Sequence, residues 1–294
     1  MAVKRGICAL KRLRNWLLFL IIVLIWSSNW SVMKIGLSYV DPLNFVLHRL
    51  LFSALALSPL LGILKERVPK DMETLTRLLL LGVINASGIF LTNIGLLYEK
   101  SGISAVLTYT QPLFVFCMAV LFLKEEANAS RLLGVLTGFS GVVALSLGKI
   151  GSIESFPFSN IFLIIGAFLW AVSVVYYKKL LNQVNSIVTN IIQLAVGAII
   201  LTLLNALFGE FYFPLSRAYV PIVLYASVGA SSLALTIWMF LLREEEATVL
   251  SSSSFIIPMA ALFFGWLLLG ENIELKSLLG TGLILAGVYL VNRT

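Results

Sequence analysis

The amino-acid sequence predicts an all-α integral membrane protein, with ten transmembrane helices arranged as two inverted five-helix repeats around a central cavity. Three observations carry this expectation. Of the 294 residues, 60% are hydrophobic and only 12% are charged, and the mean hydropathy is +1.00. The apolar residues gather into ten runs of membrane-spanning length. The second half of the chain also repeats landmarks of the first at a near-constant offset.

Soluble domains carry about 25% charged residues, and this chain lacks the polar surface to cover one soluble core. The composition therefore excludes a soluble enzyme, a disordered chain and a nucleic-acid binder. The net charge of +7 is spread between apolar runs instead of forming a patch. A membrane protein uses such an excess to orient itself. Two cysteines, Cys8 and Cys117, make no disulfide framework.

A helix needs about 20 mostly apolar residues to cross the hydrocarbon. The first run, 15–33, follows Lys4, Arg5, Lys11, Arg12 and Arg14, as a signal peptide would. It continues into Trp26-Ser27-Ser28-Asn29-Trp30 with no small-residue cleavage site, so it reads as a retained helix. Runs 42–64, 78–98 and 102–123 follow, then 132–148, near the lower length limit. The second set is 158–177, 186–208, 219–242, 247–269 and the short 277–292. The resulting organisation is a basic segment 1–14, a first repeat 15–148, a linker 149–156 and a second repeat 157–292. No alternating ten-residue segments suggest a barrel. The loops are short and no GxxxxGK[ST] run occurs, which leaves no room for an ATP-driven pump.

Lys34, Lys100, Lys149, Arg217 and Lys276 fall between spans on the side opposite the N-terminus, and Arg49 falls inside a span. The other 15 of the 21 basic residues share the side of the N-terminus. That excess predicts both termini in the cytoplasm.

Pro112 maps to Pro258, Glu125 to Glu271, Gly134 to Gly280 and Gly141 to Gly287, all at an offset of 146. Trp26 maps to Trp170 and Lys34 to Lys178 at 144. Five spans per half is an odd number, so the second copy sits upside down relative to the first. Lys34 and Lys178 accordingly fall on opposite sides. Inverted repeats around a mid-membrane site are the architecture of secondary transporters.

These landmarks resemble the drug/metabolite transporter superfamily, specifically its EamA-type ten-helix proteins. The resemblance rests on Trp26-x-x-Asn29-Trp30, on Arg49-Leu-Leu-Phe-x-Ala54, and on Pro112…Glu125 with Pro258…Leu269-Gly270-Glu271. The glycine-bearing spans Gly134, Gly138, Gly141 and Gly280, Gly282, Gly287 add to it, so that it covers nearly the whole chain. It implies a ten-helix fold with a central cavity and the export or exchange of small metabolites such as amino acids. The superfamily also includes nucleotide-sugar, phosphate-ester and drug transporters. Its small multidrug exporters couple to protons through a Glu in the first helix, where this chain has Ser27, Ser28 and Asn29.

The ten runs contain no Asp or Glu, and His48 and Arg49 are their basic groups. Arg49 sits roughly 9–11 Å into the second helix at about 1.5 Å per residue. It is expected either to clamp an anionic substrate group such as a carboxylate or to snorkel or bind backbone carbonyls. His48, about 100° around the helix, is expected to be structural. Pro112 and Pro258 should interrupt the fourth and ninth spans as hinges. They bring Tyr109, Gln111 and Ser254 towards a substrate. Asn29, Asn93 and Gln193 are polar groups that need partners in a cavity or across helices. Trp30, Trp170 and Trp238 are candidate cavity walls, with Trp26 and Tyr176 beside them. Glu125 and Glu271 are expected to be structural, each favoured by the N-terminal end of the helix that follows it.

The expected function is a secondary transporter, exporting or exchanging small polar metabolites and most plausibly amino acids, by alternating access. It needs no cofactor or metal, and its partners are a small-molecule substrate and the lipid bilayer of the cell membrane, with no nucleic acid. A monomer and a homodimer are both compatible. A membrane-embedded enzyme would need an acid, His or Cys cluster that the runs lack. A channel would need a ring of charges or carbonyls.

Overall fold

The computed structural model describes residues 2–147, 158–270 and 277–293. The linker expected at 149–156, and Glu271 with it, lies outside the described residues. Ten helical spans follow one another: α1 (Ala2–Gly36), α2 (Pro42–Ile63), α3 (Met72–Tyr98), α4 (Ser101–Leu123) and α5 (Ala129–Leu147) in the first half. The second half holds α6 (Phe158–Leu180), α7 (Ser186–Phe208), α8 (Tyr219–Glu244), α9 (Ala247–Leu269) and α10 (Ser277–Asn292). Eight of them are long and apolar enough to cross a membrane, and α5 and α10 are the weaker fifth and tenth. No strand occurs among the described residues.

Local chemistry sets several boundaries. Asp41 accepts the Leu43 and Asn44 amides and Pro42 occupies the first turn of α2, while Asn185 accepts the Ile187 amide at the start of α7. Spans α4 and α9 end in left-handed residues at equivalent positions, Lys124 (φ 57°) and Gly270 (φ 66°). Large apolar side chains such as Leu133, Leu203, Leu267 and Leu279 stand exposed around the bundle, as lipid contact requires.

Packing follows the repeat. Span α1 packs on α9 as α6 packs on α4, and α3 packs on α6 as α8 packs on α1, while α5 pairs with α10. Lys34, in the last turn of α1, donates to the Leu96 and Leu97 carbonyls at the end of α3 (2.8 and 2.9 Å). Its counterpart Lys178, in the last turn of α6, donates to the carbonyls of Leu242 (2.9 Å) and Glu245 at the end of α8. The two contacts repeat one another at opposite ends of the bundle, which is the inversion read from span parity.

The glycine helices bring backbone against backbone. A Cβ on Gly141 would lie 2.6 Å from the Gly280 carbonyl oxygen, and one on Gly134 would lie 2.9 Å from that of Gly287. These glycines therefore serve the α5–α10 crossing inside the fold.

Spans α4 and α9 are each broken near mid-length. Helix stops at Thr108 and restarts at Gln111, and stops at Ser253 and restarts at Ile256. Pro112 sits in the first turn of its restart and so lacks no helical partner. Two π-helical stretches, Ala119–Leu123 and Tyr225–Ala234, have no counterpart in the sequence reading.

Glu125 corrects an expectation. Its carboxylate meets a helix N-terminus, but that of α9 in the other half and not that of α5. Oε1 accepts the Ala247 amide (2.7 Å) and Oε2 the Thr248 amide (3.0 Å). Two charge-assisted bonds at a helix start contribute about 1–2 kcal/mol. Glu125→Ala is expected to lower the thermal midpoint in detergent by a few degrees. An unchanged midpoint would show that the contact contributes nothing.

Candidate functional site

Seven helices, α1–α4, α6, α8 and α9, enclose a cavity of about 110 Å³ at the middle of the bundle. One water needs about 10–15 Å³, so the cavity admits several waters or a small solute. Of the predicted residues, Asn29, Trp30, Arg49, Asn93, Tyr109, Gln111, Trp170 and Ser254 line it. Gln193 and Trp238 do not. They line a second void of about 10 Å³, which shares Asn85, Trp170 and Leu235 with the main cavity. That void lies towards the end of the bundle where α1 begins, beside Tyr177 and Leu242 at the ends of α6 and α8.

Arg49 is 8% exposed and lines the cavity, so it neither snorkels nor binds a neighbour's carbonyl. Its Nε donates to Ser231 Oγ (2.6 Å) and its Nη1 to Met33 Sδ (2.9 Å). Among the described residues no carboxylate lies within ion-pairing distance of it. A buried guanidinium with two neutral partners keeps donor capacity and an uncompensated charge. His48 on the adjacent face shares a 2.8 Å hydrogen bond with the Tyr219 hydroxyl and packs edge-on against Phe213, away from the cavity.

Around the same cavity the side-chain oxygens of Asn29, Asn85, Asn93 and Gln111 meet no protein donor. Neighbours set the amide orientations of Asn93 and Gln111. Asn93 Nδ2 donates to the Ile89 carbonyl (2.9 Å), which leaves Oδ1 free. Ser254 Oγ gives its proton to the Ser251 carbonyl (2.5 Å) and so receives Gln111 Nε2 (3.3 Å), leaving Gln111 Oε1 free. Arg49 and the amide residues Asn29, Asn85, Asn93 and Gln111 thus share the cavity lining with Trp26, Trp30, Met33, Ile89, Tyr109 and Trp170. Such a lining is chemically suited to a solute with an anionic group, hydrogen-bond donors and apolar bulk.

The model of the EamA-like transporter family matches residues 14–147 and again 157–293. The chain belongs to the EamA-like transporter family. It is 26% identical to YoaV, an uncharacterized transporter of Bacillus subtilis (strain 168), over 92% of this chain and 93% of that one. It is 30% identical to an uncharacterized transporter of Archaeoglobus fulgidus, over 94% and 96% of the two chains. To the inner membrane transporter YedA of Escherichia coli (strain K12) it is 27% identical over 91% and 87%. A protein crystal structure superposes with a TM-score of 0.77 at 16% identity, over 95% of this chain and 96% of that one, and so shares its fold. The chain is a transporter and a multi-pass integral membrane protein.

Several parts of the site in this EamA chain escape a reading of sequence. Ser231, Met33, Thr92 and the close-approach glycines Gly88 and Gly166 line the cavity without any sequence signal. The π-helical turn of α8 turns backbone carbonyls towards side chains of other helices. Trp26 Nε1 donates to the Ala230 carbonyl (3.1 Å), Ser53 Oγ to that of Ser227 (3.0 Å) and Asn190 Nδ2 to that of Ser231 (2.9 Å). Only the repeated small hydroxylated residues of this stretch hint at that use.

Trp26, Trp170 and Trp238 form one cluster, with ring centroids 5.4–6.3 Å apart. Trp238 is the buried member behind the cavity wall, which is why it does not line it. At the end of α8, Glu244 pairs with Arg14 (2.7 Å) and Lys11 (3.6 Å), and Glu246 with Arg131. Asn15 Nδ2 reaches both Glu244 and Glu245 (3.0 and 2.9 Å). The Glu244-Glu245-Glu246 run thus ties α1 and α5 to the α8–α9 turn.

Proposed function

We propose that this EamA transporter exchanges amino acids across the cell membrane and exports them in the cell, by alternating access of its two inverted repeats. The observation that carries the reading is Arg49: a buried, cavity-lining guanidinium with no acidic partner among the described residues. A substrate carboxylate supplies the missing charge by a two-pronged hydrogen bond. The acceptor oxygens of Asn29, Asn85, Asn93 and Gln111 suit an ammonium group, and the aromatic wall suits an apolar side chain. A phosphate or nucleotide-sugar carrier would call for several cavity cations. Lys34 and Lys178 are instead engaged by backbone carbonyls at the two ends of the bundle. Counterflow of a mixed amino-acid panel in proteoliposomes tests the reading. Saturable exchange is expected, and its absence across the panel would overturn it.

The basic residues favour both termini in the cytoplasm. In a background lacking Cys8 and Cys117, Leu180→Cys is expected to react with an impermeant thiol reagent from the cytoplasmic side and Ser216→Cys from the outside. Labelling of both from one side would rule the inverted topology out.

A further inference from the structure

Gln193 and Asn190 take no place in the cavity wall, yet their hydrogen bonds join two residues that do, with every N–H donating in the direction from Asn85 to the Ser231 carbonyl. Asn190 Nδ2 faces the Ser231 carbonyl at 2.9 Å, the Ser232 carbonyl at 3.3 Å and Thr236 Oγ1 at 2.8 Å. A backbone carbonyl only accepts, so the amide nitrogen must lie on that side and Oδ1 on the other. Asn190 Oδ1 accordingly accepts from Gln193 Nε2 (2.8 Å). Gln193 Oε1 is then left to accept from Asn85 Nδ2, also at 2.8 Å. The last member, Asn85, lines the cavity and its Oδ1 meets no protein donor. Flipping any one amide would set nitrogen against nitrogen or oxygen against oxygen, so the three orientations hold together. All three residues are at least 95% buried.

Ser231 begins this chain with its carbonyl and receives Arg49 Nε on its hydroxyl. One residue of the α8 π-helical turn thus sets both the guanidinium and, through two amides, the oxygen of Asn85. We propose that the Asn190–Gln193–Asn85 relay makes Asn85 Oδ1 an obligate acceptor for the substrate's ammonium group, so that the site selects amino acids over the same acids lacking the amine. The inference rests on the amino-acid reading of the cavity. Arg49 serves any carboxylate, whereas the relay tells amine-bearing carboxylates from the rest. A free-rotating amide at position 85 could offer its nitrogen and accommodate an oxygen-rich solute. The relay removes that option. Asn190 and Gln193 are positioning residues, and Asn85 is the group that touches substrate.

The test is counterflow of radiolabelled leucine in proteoliposomes, competed by unlabelled leucine or by 4-methylpentanoate, its amine-free analogue. In the wild type, leucine is expected to compete at about a tenfold lower concentration, the worth of one hydrogen bond to a charged group. Gln193→Met, similar in volume and without the amide, is expected to bring the two competitors within about twofold of each other. Asn85→Ala reads the same preference should Gln193→Met fail to fold. Asn85→Asp, which keeps an acceptor oxygen, is expected to retain the preference. Arg49→Ala raises both competing concentrations together and leaves their ratio alone. Wild-type leucine counterflow with an unchanged ratio in Gln193→Met and Asn85→Ala would overturn the relay and leave the amino-acid reading standing. Absence of counterflow for leucine and for the rest of the amino-acid panel in the wild type would overturn both.

Discussion

Arg49→Ala is expected to lower amino-acid counterflow about a hundredfold or more, because truncating one partner of a buried, hydrogen-bonded charge pair costs about 2–5 kcal/mol. The guanidinium is committed to Ser231 Oγ through Nε and to Met33 Sδ through Nη1, which leaves its remaining donors for the solute. Arg49→Lys is expected to recover only part of the rate. An ammonium keeps the charge but cannot hold Ser231 and a carboxylate in one planar fork. The rates are to be compared at equal incorporated protein, with gel-filtration profiles recorded to separate lost chemistry from lost folding. Wild-type exchange by correctly folded Arg49→Ala protein would remove the carboxylate clamp from the mechanism.

Gly287→Leu is expected to produce the largest loss of stability. A Cβ at position 287 would lie 2.6 Å from the Gly138 Cα, so a larger side chain must part α5 from α10 along their whole crossing. Overpacking of this kind costs about 1–3 kcal/mol or more. The thermal midpoint in detergent should fall by about 5–10 °C. Gly282→Ala is the matched control, since nothing lies within 4 Å of its added Cβ. It should be neutral or slightly stabilising through helix propensity. Equal midpoints for the two variants would mean that α5 and α10 are not locked by their glycines.

The spans were legible because bilayer thickness imposes a length and composition that few other constraints mimic. The repeat was legible because proline, glycine and lysine landmarks recur in register where apolar letters carry little information. The cavity was legible in part. Polar residues and tryptophans inside apolar runs must find either partners or water, and eight of the ten chosen line one space. Gln193 and Trp238 show where that reasoning stops. A polar side chain in a span is satisfied equally well by another helix. Gln193 is so satisfied by Asn190 and Asn85, while Trp238 packs behind Trp26 and Trp170. Glu125 shows the same limit, since its nearest helix start in the chain is not the nearest in space.

By itself, then, the sequence determined that this protein spans a membrane ten times, that its halves are inverted copies, and that it is an EamA transporter. The first two rest on periodicity and spacing along the chain, and the third on the resemblance of its motifs to that family. Only the tertiary structure decided which face of each span meets the cavity, that the π-helical turn of α8 supplies Ser231 to Arg49, and in which direction the buried amides point. In a bilayer both lipid and protein are apolar, so hydrophobicity marks no inner face, and hydrogen-bond direction is set by whichever groups packing brings together.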